Sequence, residues 1–169
     1  MISTAMGVIW FGAIFGNIAF TIFADNFGRR KALILCQIWN VAGYTVLLTS
    51  SSLLQAEIGL FIIGMGFQGL FPIMLCILEE ILDNSLRQKM QIFIQSFICL
   101  GSLFSIILFY TIKDWWSIYF YFGLLPVVGC LIFTLFYAKE TPQFMVEMYP
   151  VDRIREDMRF IARQNGRER

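Results

Sequence analysis

A chain of 169 residues that is 58% hydrophobic and only 15% charged departs from soluble domains, in which about 45–50% of residues are apolar and about 25% charged. It has no histidine, which excludes His-based zinc sites and the Ser-His or Cys-His nucleophile pairs of hydrolases. The net charge of +1 says little, but the placement of the charges says more.

The apolar residues come in blocks of about twenty, the length that crosses about 30 Å of hydrocarbon. They predict membrane helices at 3–24, 32–50, 58–79, 91–112 and 117–138. The expected fold is an all-α, polytopic membrane helix bundle over 1–138, followed by a polar tail over 139–169. The first helix carries Gly12-Ala13-Ile14-Phe15-Gly16, a spacing that permits close helix contact, and Asn17 and Thr21 serve packing. Next comes Asp25-Asn26-Phe27-Gly28-Arg29-Arg30-Lys31. Three adjacent cations cannot stay in hydrocarbon, so 25–31 reads as a short turn at a membrane face. Gly28 suits a positive φ there. The other breaks, at 50–57, 82–90 and 111–116, also hold charges or small polar residues.

The third helix contains Gln68 and Phe71, two polar or aromatic candidates for a site. The fourth carries the clearest polar stripe. At 100° per residue, Gln91, Gln95, Ile98, Ser102 and Ser105 fall within about 80° of arc. Polar groups facing lipid are costly, so this stripe is expected to face protein or a water-filled cavity. An amide such as Gln95 both donates and accepts hydrogen bonds, which suits a polyhydroxylated solute; a helix–helix hydrogen bond is the alternative. Trp115, Trp116 and Tyr119 form an interfacial belt. Gly123, Pro126 and Gly129 read as a kink region in the fifth helix. In the tail, 152–163 reads as an amphipathic helix with Ile154, Met158 and Ile161 on one side, ended by Gly166. Cys36, Cys76, Cys99 and Cys130 lie in apolar runs without CxxC spacing and read as small hydrophobes. The start lacks a basic segment and its apolar run is too long for a cleavable signal peptide.

If the spans alternate, Arg29, Arg30, Lys31, Arg87, Lys89, Lys139 and the tail arginines share one side, and Lys113 stands on the other. That asymmetry predicts an integral, multi-pass membrane protein with the 25–31 and 83–90 turns and the C-terminal tail in the cytoplasm.

Three stretches carry a family resemblance. Ala24-Asp25-Asn26-Phe27-Gly28-Arg29-Arg30-Lys31 resembles the G-x-x-x-D-x-x-G-R-[RK] loop between helices 2 and 3 of the major facilitator superfamily. Glu80 and Arg87 in Glu79-Glu80-Ile81-Leu82-Asp83-Asn84-Ser85-Leu86-Arg87 resemble the E-x-x-P-x-x-x-R signature of its sugar porters and organic-ion transporters. Lys139-Glu140-Thr141-Pro142-Gln143-Phe144-Met145 resembles P-E-S-P-R-W-L after helix 6. The resemblance implies a partial major-facilitator N-terminal half, running from helix 2 to just past helix 6. Helix 1 and the second half would then be missing partners.

It further implies a gating charge network of Asp25, Gly28, Arg29, Arg30, Glu80, Arg87 and Glu140. It also implies substrate binding by Gln95, whose spacing from Arg87 and Gly101 matches a sugar-binding Gln, with Gln91, Ser102 and Gln68 beside it. The expected function is part of a secondary transporter moving a sugar or organic ion by alternating access, with a small-molecule solute and the lipid bilayer as partners. No enzyme activity, cofactor, metal or nucleic acid is expected.

The sequence departs from the family pattern at Thr21, Asp83, Lys139 and Gln143, where the three motifs have Gly, Pro, Pro and Arg, and at Leu60, which replaces the Arg of the R-x-x-x-G-x-G that usually opens the family's helix 4, ahead of Gly64 and Gly66. These departures leave open an alternative, a transport-dead, truncated paralogue acting as a structural or interaction membrane subunit. With no carboxylate near the middle of any span, uniport and proton symport both remain open.

Overall fold

A computed structural model describes residues 2–138 and Glu140. The remaining tail, with the expected helix at 152–163 and all of the third motif except Glu140, lies outside the described residues.

Five long apolar helices make up the described chain: α1 (Ile2–Phe27), α2 (Arg29–Leu48), α3 (Leu53–Ile81), α4 (Asn84–Thr111) and α5 (Trp115–Tyr137). Most extend past the apolar blocks that announce them, because polar residues at a membrane face can stay helical while their side chains reach water. The connections shrink accordingly. The turn expected over 25–31 is Gly28 alone, at φ 104° and ψ 147°. This conformation is strained for any residue with a Cβ. The others are 49–52, 82–83 and 112–114.

Side chains start two of the helices. The Ser52 hydroxyl accepts the Gln55 N–H at 3.3 Å at the head of α3. Asp114 accepts the Trp116 N–H and the Ser117 hydroxyl ahead of α5, and the Ser117 bond holds its carboxyl below the usual range.

Helix α3 packs along both α1 and α2, and α2 also packs against α5. The α1–α3 contact runs through glycines. A methyl group on Gly16 would overlap the Met65 carbonyl, one on Gly12 the Phe61 carbonyl, and one on Gly64 the Ile9 carbonyl. Removing side chains lets the two backbones meet, as membrane helices without a hydrophobic drive between them require. The buried core is Phe20, Ala24, Ala32, Leu33, Cys36 and Ile73, gathered at the Gly28 end of the bundle.

Between α2 and α5, the buried Gln37 Nε2 donates to Thr134 Oγ1 at 3.0 Å, and the Thr134 hydroxyl donates to the Cys130 carbonyl at 2.8 Å. Helix α5 widens into a π turn over Tyr119–Leu124, where the Leu125 N–H reaches the Phe120 carbonyl. It lies just ahead of Pro126, whose ring would crowd the Phe122 carbonyl in a regular helix. The Tyr44 ring sits over Gly123 there.

Helix α4 is the least buried of the five. Its described contacts gather near its ends, with Glu79 at one and with α5 through Phe104–Phe122 and Phe109–Tyr119 at the other.

Candidate gate cluster and polar stripe

The single-residue turn at Gly28 leaves the first amides of α2 without a capping side chain of their own. Orphan N–H groups at a helix start attract an acceptor, and the helix dipole favours a negative one. Glu140 supplies it. Its Oε1 accepts the Arg29 N–H at 2.8 Å and the Arg30 N–H at 3.1 Å. Arg30 answers in the other direction, its Nη2 donating to the Leu135 carbonyl at 3.0 Å in the last turn of α5. A cation there meets the negative end of that helix. Two reciprocal contacts thus clamp the start of α2 to the end of α5.

The Arg29 side chain turns to α3. Its Nη1 stands 2.5 Å from Glu80 Oε1, with the two side chains 15% and 8% exposed. At that burial the pair is shielded from water, and removing either partner strands a buried charge. The Cys76 thiol donates to the same Glu80 oxygen at 3.7 Å, one turn back along α3.

Arg87, at the start of α4, does not join Glu80. Its Nη2 donates to the Glu79 carbonyl, and Gln91 Nε2 donates to Glu79 Oε1 at 2.9 Å. Gln91 therefore belongs to the same end of the bundle as the charged cluster. Asp25 is exposed on the last turn of α1 and makes no hydrogen bond or ion pair with the cluster. Sequence reasoning gave Glu79 no role although it stands in the second motif's stretch, and read Cys76 only as a small hydrophobe. Both lie within a turn of Glu80 on α3, which is the signal that could have found them.

The structure leaves Gln95, Ser102 and Ser105 exposed on α4. The Ser102 and Ser105 hydroxyls donate to the Ile98 and Gly101 carbonyls one turn back, each at 2.9 Å. They so satisfy their donors within the helix. Gln95 edges an open groove of about 510 Å³ with Ile92, Ser96, Cys99 and Leu100. Gln68 is half-buried on α3, away from that groove. Gln91, Gln95 and Ser102 thus share one helix, with Gln91 drawn to Glu79 and the others open. No group of three or more metal-ligating side chains occurs among the described residues.

The family model described as sugar (and other) transporter matches residues 1–169. The chain belongs to that family. Its relatives include the probable plastidic glucose transporter 2 of Arabidopsis thaliana, 30% identical over 86% of this chain and 29% of the relative. Solute carrier family 22 member 16 of Mus musculus is 27% identical over 76% of this chain and 19% of the relative. The probable 4-methylmuconolactone transporter of Cupriavidus pinatubonensis is 25% identical over 73% of this chain and 30% of the relative. The resemblance drawn from the three charged stretches, to the sugar-porter and organic-ion branch of the major facilitator superfamily, is borne out. The chain spans less than a third of the length of these relatives. Sugar transporter kinship and five apolar helices make it a multi-pass integral membrane protein of a solute transporter family.

Proposed function

We propose that this chain is part of a secondary transporter that moves a small organic solute, a sugar or an organic ion, by alternating access. The observation that carries this reading is the buried Arg29–Glu80 pair beside the Glu140 clamp. Together they tie the ends of α2, α3 and α5 on one side of the membrane. Such a cluster can hold one face closed and release it as a unit. A bias of a few kcal/mol suffices to move a two-state equilibrium substantially. Gly28, Arg30 and Arg87 complete this gate, Asp25 flanks it from the exposed last turn of α1, and it faces the cytoplasm with the tail beyond Lys139, on the strength of the cation asymmetry.

Gln95, with Gln91, Ser102 and Gln68, meets the solute. The names of two relatives, a glucose and a 4-methylmuconolactone transporter, support a small polar organic substrate. The bare middle of α4 supports a further helix packed against it, and the site is completed by a second half of the carrier. In repeat-built transporters the substrate sits at the interface between halves.

The test is uptake of labelled monosaccharides, polyols and organic ions into cells displaying the native polypeptide. The diagnostic sign is acceleration of uptake by unlabelled solute on the far side, as alternating access requires. Absence of any flux with verified surface display would overturn the reading.

A transport-dead membrane subunit is the second reading, favoured by Thr21, Leu60 and Gln143, where the family pattern has Gly and Arg. A native polypeptide near 19.6 kDa on a denaturing gel would support it, and one more than twice that size would exclude it.

A further inference from the structure

Helix α3 ends without the glycine cap that often closes a helix. Leu82 and Asp83 are both extended, and the last bond of the helix runs from the Leu82 N–H to the Leu78 carbonyl at 3.1 Å. The carbonyls of the final turn, Glu79 among them, have no partner within the helix. Arg87 of α4 answers one of them, its Nη2 donating to the Glu79 carbonyl. A cation there also meets the negative end of the α3 dipole. One turn further along α4, Gln91 Nε2 donates to Glu79 Oε1 at 2.9 Å. Main chain and side chain of Glu79 are both held by α4.

The next residue reaches a different helix. Successive residues of an α-helix point about 100° apart, and Glu80 turns to α2, where its Oε1 stands 2.5 Å from Arg29 Nη1. One turn of α3 therefore carries both attachments. Helix ends open at less cost than helix middles, so this turn has two arrangements: wound while α4 holds Glu79, and loosened when α4 lets go. Gln95 lies one turn beyond Gln91, about 6 Å along the α4 axis.

We propose that Glu79 is a positioning residue that couples α4 to the Arg29–Glu80 pair through the last turn of α3. While Arg87 and Gln91 hold Glu79, the turn stays wound and Glu80 stays against Arg29. A displacement of α4 that draws Gln91 away loosens the turn and releases Glu80. The coupling is reciprocal, so parting the ion pair weakens the hold on α4 by the same free energy. That a solute at Gln95 sets α4 in motion rests on the transport reading; the link from Glu79 to Glu80 does not.

Cys76 reports the state of Glu80, because its half-buried thiol donates to Glu80 Oε1 at 3.7 Å. The test is the rate at which N-ethylmaleimide alkylates Cys76 in the purified full chain in a neutral maltoside detergent, with the adduct located by peptide mass spectrometry. Glu79→Ala and Gln91→Ala should each raise the rate about fivefold, the factor that one lost hydrogen bond gives. The double variant should do no more than either alone, since both remove the same bond. Arg87→Ala uncaps the turn and should raise the rate as well. Glu79→Gln keeps an acceptor oxygen and should stay within about twofold of the unmodified protein. Glu80→Ala exposes the thiol directly and should raise the rate at least as much as Glu79→Ala. Cys36, fully buried in the neighbouring core, should keep its slow rate in every variant. An unchanged rate at Cys76 in Glu79→Ala and Gln91→Ala would overturn the proposal. So would an unchanged rate in Glu80→Ala, additive effects in the double variant, or a parallel rise at Cys36, which would mean general loosening of the bundle. No solute is present, so failure of the transport reading would leave these outcomes as they are.

Discussion

Glu140 accepts the backbone amide of Arg29 at 2.8 Å across 111 residues of sequence. A helix whose N-cap is glycine has no side chain to satisfy its own first amides, and here the acceptor comes from just beyond α5. The glycine is dictated by the turn, so the borrowed cap follows from the positive φ at Gly28.

Glu140→Ala should therefore lower the melting temperature in detergent, by an amount equivalent to about 0.5–2 kcal/mol, the usual worth of a helix cap. Glu140→Gln keeps a carbonyl acceptor and should lose less. Thermal unfolding followed by tryptophan fluorescence reads both. Identical melting of Glu140→Ala and the unmodified protein would mean that the amides find water instead.

The Arg29–Glu80 pair calls for a double-mutant cycle. Arg29→Ala or Glu80→Gln alone should destabilise by about 3–5 kcal/mol, because each leaves a shielded charge unanswered. The double variant should cost clearly less than the sum. If the pair gates transport as proposed, both should slow solute flux more than they weaken equilibrium binding. Asp25→Asn should do less on each measure, since Asp25 is exposed and outside the cluster. Additive energies would show that the two side chains do not act together.

Much of this was readable from residues alone, and the rest was not for identifiable reasons. The five spans are legible because hydrocarbon demands long apolar blocks, and Gly28 is legible because a turn between charged helix ends needs it. The helix ends are not, because residues such as Arg29 and Leu53 stay helical in the interfacial zone. The charge signature around Glu80 points to the right corner of the bundle. That Arg87 would bind the Glu79 carbonyl instead has no local signal. Apolarity marks α4 as membranous but cannot say whether lipid or protein covers it. The Gln95 stripe was accordingly visible while its surroundings were not.

Glycine positions offer a sharp internal comparison. Gly16→Leu should separate α1 from α3 and lower the melting temperature strongly, because the Met65 carbonyl already occupies the space. Gly7→Ala, a substitution into open space on the same helix, should be neutral or stabilising by about 0.5–1 kcal/mol through helix propensity. Similar effects of the two substitutions would mean that the close approach of the helices is not what stabilises them.

If Gln95 meets the solute as proposed, Gln95→Ala should weaken binding of a polar solute by about 1–3 kcal/mol, the cost of a lost hydrogen-bonding partner. Its melting temperature should stay unchanged, since water replaces an exposed amide. A lowered melting temperature with unchanged affinity would assign Gln95 to packing against another helix.

Single cysteines at Ser52 and Asn165, in a background without the four native cysteines, should differ in labelling by a membrane-impermeant reagent. Ser52 should react from outside intact cells and Asn165 only after permeabilisation. Equal labelling of both would reverse or abolish the orientation drawn from the cations.

Gly28 also has a mechanical meaning. With 26 residues at 1.5 Å each, α1 is a rod about 39 Å long, and a single residue joins it to α2. Such a joint offers only two soft dihedrals and no slack. Any tilt imposed on the far end of the rod, near Gly7, must reappear at Gly28, beside Arg29 and Glu140. The one-residue joint makes α1 a lever whose short arm ends in the charged cluster.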